Sequence, residues 1–182
     1  MLGVAGSVTN SCDITHKLVS NQSSAIFDGT NDFIDCGLPS GSSFISKTQG
    51  SISLWARITT ASNNEMLWNC CVDSSGTNKI NLLYNSSGGK IQAQVKVAGT
   101  TKSAGFSISN SDIVSAGWFH VCMTYQIDES AYVIKLYYNG ILKSTQLEEL
   151  DHNFAEDVVL NTVHLGKNAV TTNTYHQGYI DE

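Results

Sequence analysis

The chain has 182 residues, 41% of them apolar and only 14% charged, with a formal net charge of -6; that length fits one large domain able to bury a core without disulfide or metal staples. Nine lysines and a single arginine, Arg57, with no basic cluster, argue against nucleic acid as a partner. No apolar run approaches the roughly 18 residues of a membrane-spanning helix.

The opening MLGVAGSVTNSC has no basic region and only a short apolar stretch, so it does not read as a secretory leader. Residues 1–20 are read as an N-terminal arm or first strand, with a strand expected at 14–19, and the arm is a candidate anchor. From Ser24 the sequence SAIFDGTNDFIDCG sets two short apolar pieces around the turn Asp28-Gly29-Thr30-Asn31. In GSISLWARI, residues 50–58, Ile52, Leu54, Ala56 and Ile58 alternate onto one face. Strands are expected next at 65–72, 78–84, 90–97 and 102–108, separated by glycine- and serine-rich turns.

Residues 117–146 are the best-defined stretch. The segment 118–125 is apolar on both faces, as in a strand deep within a sandwich, and 133–138 alternates like a half-buried strand. Asn139-Gly140 is a two-residue type I′ turn, because both residues tolerate positive φ, and a strand resumes at Ile141. The one segment expected to hold a short helix is 147–158; closing strands are expected at 159–166 and 175–180. About a dozen short strands with closely spaced turns predict an all-β, antiparallel β-sandwich.

Five cysteines, Cys12, Cys36, Cys70, Cys71 and Cys122, show no zinc-type spacing; they are read as reduced core or strand residues of a protein folded in a reducing cytosol. The histidines His16, His120, His152, His164 and His176 show no metal-ligand spacing, and His120 is expected to be a structural, hydrogen-bonded residue. No nucleophile elbow, phosphate loop or dinucleotide fingerprint occurs. The sequons at Asn21 and Asn85 carry little meaning in a bacterial host.

Four pieces in order carry a family resemblance: AIFDGTNDFIDCG, GSISLWARI, GWFHVCMTY with IKLYYNGIL, and VHLGKN with GYIDE. The chain resembles the laminin-G-like jelly rolls of the concanavalin A-like lectin and glucanase superfamily, over 25–182, with the jelly roll assigned to 21–182. The family's last strand runs on for several apolar residues where this chain stops at Glu182, so either the chain is cut there or a partner completes the strand.

Fold leaves function open among glycan binding, protein binding, glucan hydrolysis and structural roles. A family glucanase would need paired carboxylates on one strand. Glu148-Glu149-Leu150-Asp151 has the wrong spacing and reads as a solvated loop, so a divergent glycoside hydrolase is disfavoured. By resemblance, Asp28, the Gly29 carbonyl and Asp181 are the candidates for a structural calcium; the plainer expectation for Asp28 is an Asx-turn. Trp55 and Trp118 fall at family core positions and are expected to be buried, while Trp68, Tyr84, Tyr132, Tyr137 and Tyr175 are expected to pack rather than to form sugar platforms. No sugar site is assigned.

The leading expectation is a non-enzymatic structural or adhesion module on a phage virion, as a capsid decoration, tail or fibre protein. It would contact other virion proteins or further copies of itself, and host-surface glycans. The motives are Met1 without a leader, unbridged cysteines, a Ser/Thr/Asn-rich acidic surface and the strand left open at Glu182. The alternative is an extracellular lectin-like carbohydrate-binding module of a bacterial surface or secreted protein.

Overall fold

The computed structural model describes residues 7–9, 13–17, 22–36, 45–72, 76–127, 131–149, 160, 162–168 and 174–181. Among them, fourteen strands lie in two seven-stranded antiparallel sheets. The strands are β1 (Ser7–Thr9), β2 (Asp13–Lys17), β3 (Gln22–Asp28), β4 (Phe33–Asp35), β5 (Gln49–Ile58), β6 (Glu65–Cys71) and β7 (Lys79–Asn85). They continue as β8 (Lys90–Val97), β9 (Thr100–Ser107), β10 (Phe119–Ile127), β11 (Ala131–Tyr138), β12 (Ile141–Glu149), β13 (Thr162–Leu165) and β14 (Gln177–Asp181). Sheet one has the order β1-β4-β13-β6-β7-β8-β9, and sheet two β12-β11-β10-β5-β14-β3-β2. The expected all-β sandwich is what forms.

The core lies between the sheets and follows the period of two. Ile91, Ala93, Val95 and Val97 of β8 share one buried cluster with Phe119, Val121, Met123 and Tyr125 of β10 and Ile134 and Leu136 of β11. Fully burying each large apolar side chain stabilises the fold by roughly 1.5–3 kcal/mol. Tyr84, Tyr125 and Tyr132 belong to the same core, and two of them satisfy their hydroxyls on backbone: Tyr84 donates to the Ile108 carbonyl at 3.1 Å and Tyr125 to the Ser46 carbonyl at 2.7 Å.

Three local features differ from expectation. The turn after Asp28 is a corner between sheets: β3 belongs to sheet two and β4 to sheet one, so the two apolar pieces do not pair with each other. Asp28 Oδ1 accepts the Thr30 amide at 2.7 Å, and Asp32 Oδ2 accepts the Asp28 amide at 3.1 Å. Among the described residues the one helix lies outside the segment expected to hold it. It is α1 (Asn110–Ser115), opened by Ser109, whose hydroxyl accepts the Asp112 amide and bonds its carboxylate. That Ser-x-x-Asp cap was the available signal. Leu147, Glu148 and Glu149 extend β12 instead of starting a helix or a loop, because they pair with Val133, Tyr132 and Ala131 of β11; Glu148 also pairs with Lys102 of β9, and Gly105 of β9 donates its amide to the Ser144 hydroxyl at 3.2 Å. These two contacts tie the edge strands of the sheets together. The remainder of the expected helix, 150–158, falls outside the described residues, as do Cys12, Asn21, Asp151 and His152.

The Asn139-Gly140 turn forms as expected, with φ of 49° and 78°. Asn139 also docks on β10: its amide donates to the His120 carbonyl and its side-chain oxygen accepts the His120 amide, both at 2.8 Å. Within the region expected to be an arm, β1 pairs with β4 at one edge of sheet one and β2 with β3 at one edge of sheet two.

Candidate functional site

The alternation that sends Leu54, Ala56 and Ile58 into the core sends Ser53, Trp55 and Arg57 to the outer face of sheet two. Strand β10 divides in the same way: Phe119, Val121, Met123 and Tyr125 point inward, so Trp118, His120, Cys122 and Thr124 belong to the outer side. Cross-strand register sets His120 and Asp181 on either side of Trp55, and Tyr179 beside Arg57. Trp55 is 44% exposed and Trp118 41% exposed. Their expected burial is therefore wrong, and the reason is phase. Trp55 sits one residue from the inward-facing Leu54 and Ala56 in a strand with a single buried face, and Trp118 immediately precedes the inward-facing Phe119 that opens β10.

The exposed rings form two adjoining pairs. Trp55 lies 5.3 Å from the His120 ring at a 59° tilt, and His120 Nε2 shares a 2.7 Å hydrogen bond with the Ser53 hydroxyl. Trp118 lies 5.9 Å from Tyr179 at 53°, and the Arg57 guanidinium sits 5.5 Å above the Tyr179 ring. These cross-contacts hold the rings with part of their surface open to solvent. Farther along the same face is an open groove of about 420 Å³, lined by Gln49, Gly50, Ser51, Thr124, Gln126 and Lys135. Gly50, opposite Tyr125, leaves room for that inward-facing ring, since a Cβ there would strike the Tyr125 hydroxyl. Flat apolar rings beside hydroxyl, amide, imidazole and guanidinium groups suit a ligand with apolar C–H patches edged by hydroxyls.

The remaining predicted residues fall as follows. Asp28 and Gly29 share the corner turn, but Asp181 is not brought to them. Asp28 is opposite Gln177, four residues before Asp181, a separation of roughly 13 Å along the strand. Asp28 Oδ1 is also engaged by the Thr30 and Asn31 amides, so the three residues as a set do not fit one calcium shell. Among the described residues no group of three or more His, Cys, Asp or Glu side chains could hold a metal ion. Trp68, Tyr84 and Tyr132 are buried, while Tyr137 and Tyr175 are half-buried. Cys36, Cys70, Cys71 and Cys122 form no disulfide, and burial raises the Cys70 thiol to about 12.

His176 and Glu65 form a buried pair between the sheets that the histidine spacing did not indicate. Glu65 Oε2 accepts the Gln177 amide at 2.6 Å and lies 3.2 Å from His176 Nδ1. His164 packs edge-on to Phe33 at 5.0 Å, with Nε2 3.9 Å from Asp35; burial holds it below the ordinary histidine value, partly opposed by the Asp35 charge.

The family model of the concanavalin A-like lectin/glucanases superfamily matches residues 28–182. The chain belongs to that superfamily. Among solved structures, this concanavalin A-like domain is similar to the CBM40 of a Ruminococcus gnavus IT-sialidase bound to α2,6-sialyllactose: TM-score 0.50, 17% identity, covering 74% of this chain and 72% of that one. It is also similar to a leech intramolecular trans-sialidase complexed with 2,7-anhydro-Neu5Ac: TM-score 0.53, 17% identity, covering 75% of this chain. The domain spans 21% of the leech protein. At these identities the likeness is one of fold. No curated protein matches the concanavalin A-like domain by sequence. No helix among its described residues is long and apolar enough to cross a membrane.

Proposed function

We propose that the protein is a non-catalytic, lectin-like carbohydrate-binding module that holds a glycan on the outer face of sheet two. The observation that carries this is the exposure of Trp55 and Trp118 on one face, next to Arg57, Tyr179, His120 and Ser53. Sugar C–H faces stack on such rings, and the surrounding polar groups read the hydroxyls. The likeness to a CBM40 bound to sialyllactose supports the proposal at the level of fold. The non-catalytic character is supported by the commitments of two acids: Glu148 is engaged by Lys102, and Glu65 is buried against His176. Retaining hydrolysis needs two free carboxylates roughly 5–5.5 Å apart across the sugar.

Single-site affinity is expected to be modest, with useful strength coming from display of many copies, as on a virion or a cell surface. Detection of the chain in purified particles tests the virion setting; absence from them removes it.

A glycan array followed by calorimetry on the best ligand tests the binding. Trp55→Ala and Trp118→Ala should each weaken binding about tenfold or more, while unfolding free energy changes by only about 0.5–1 kcal/mol, because both rings are partly exposed. Unchanged affinity in both variants would move the site off this face.

A further inference from the structure

The outer face of sheet one holds charge differently from the outer face of sheet two. On sheet two, Arg57 is seated on Tyr179, and the carboxylate of Asp181 lies nearby on the next strand. On sheet one, Lys79 of β7 is directly opposite Lys96 of β8, with Thr101 of β9 completing the row. Cβ atoms so paired are about 4.5–5.5 Å apart, and like charges in that arrangement repel. Both lysines are half-buried, and among the described residues neither meets a carboxylate. Burial and the charge of Lys96 together hold Lys79 below the ordinary lysine value.

The adjoining row is polar throughout: Asn69, Asn81, Gln94 and Ser103 stand opposite one another on consecutive strands. Asn69 and Asn81 are buried and bonded to each other. Gln94 and Ser103 remain partly exposed, and their side chains have no hydrogen-bond partner among the described residues. Two cations therefore sit within reach of one point in space, beside an amide and a hydroxyl with capacity to spare. Two cations in a chain of net charge -6 do not suffice for a polyanion such as nucleic acid, but they suit a single acidic group.

We propose that this strip is a second binding site, which takes an acidic saccharide: its anionic group between Lys79 and Lys96, its hydroxyls on Gln94 and Ser103. The proposal rests on the carbohydrate-binding function for the class of ligand, and adds a site on the opposite face with its own selectivity. The acidic group is a carboxylate or a sulfate, and the anion relieves the repulsion between the two ammonium groups.

Calorimetry on the full chain with oligogalacturonate, a sulfated galacto-oligosaccharide and a neutral galacto-oligosaccharide tests it. At least one acidic probe should bind about tenfold tighter than the neutral one, and high salt should erode that preference. The Lys79→Gln/Lys96→Gln double variant should lose the preference and keep or raise the melting temperature, while Lys79→Arg/Lys96→Arg should retain the preference. Trp55→Ala/Trp118→Ala should weaken the neutral probe and leave the acidic preference intact. Equal binding of acidic and neutral probes would overturn the second site and leave the aromatic face standing. A preference that survives the glutamine variant, or vanishes in the tryptophan variant, would overturn it too. A fall in melting temperature of the glutamine variant would assign the lysines a structural role instead. Failure of every probe and of the glycan array would defeat the carbohydrate-binding function as well.

Discussion

Glu65 is a residue whose removal should cost the fold heavily. Its carboxylate is buried between the sheets and serves both the Gln177 amide and His176 Nδ1. Glu65→Ala leaves two buried donors without their acceptor, and breaking a buried pair in this way costs about 3–5 kcal/mol, a large share of the usual 5–15 kcal/mol of total stability. The urea midpoint should fall sharply at constant m value, with Glu65→Gln milder because an amide oxygen can still accept the Gln177 N–H. Asp28 gives a smaller and separate test. With its Oδ1 on the Thr30 amide, Asp28→Ala should cost about 1 kcal/mol, by the same amount in calcium and in chelator. A loss that appears only with calcium would show that a metal, and not the turn, depends on this carboxylate.

At the scale of the element, β14 is the keystone strand of sheet two, since it joins β3 to β5 and carries Tyr179 and Asp181 to the aromatic face. Gly178 makes that pairing possible. Its φ is 150°, and a Cβ there would drive into the Arg57 carbonyl on β5. Gly178→Ala should therefore push β14 away from β5, lowering the melting temperature and weakening glycan binding together, whereas the tryptophan variants should affect binding almost alone. Strand existence was legible from alternation in β5 and β11 and from the apolar run in β10, and the Asn139-Gly140 turn from its residue pair. Helix α1 was missed because six residues present too little periodicity to register, although its serine cap was visible at Ser109.

For the whole molecule, stability should form a plateau across neutral pH. His164 has a folded value below its unfolded 6.5, so the neutral form is favoured by folding; its contribution is complete above about pH 6.5 and is lost as pH falls through the folded value. Cys70 runs the other way. Burial, followed by the Cys71 and Cys36 charges, raises it from 9.0 to about 12, so its contribution is complete below pH 9.0 and is lost as pH climbs toward 12. Chemical denaturation across pH should show both limbs, with His164→Asn flattening the acid side and Cys70→Ala removing part of the alkaline loss, the buried Tyr125 and Tyr132 phenols, also raised by burial, supplying more of it. An acid limb unchanged by His164→Asn would assign that limb to other groups.

The linear chain by itself determined the class of fold. Period-two alternation, turn residues and the ordered motif set depend only on neighbours in sequence, and they led to a concanavalin A-like sandwich. Tertiary structure decided which side of each strand met the core. The family resemblance placed Trp55 and Trp118 at core positions and so sent them inward; the phase of Leu54, Ala56, Phe119 and Val121 against the opposite sheet sent them out. It also decided which distant residues share a face. The pairings Trp55–His120, Trp118–Tyr179, Lys79–Lys96 and Glu65–His176 come from register between strands or packing between sheets, and no local pattern encodes either.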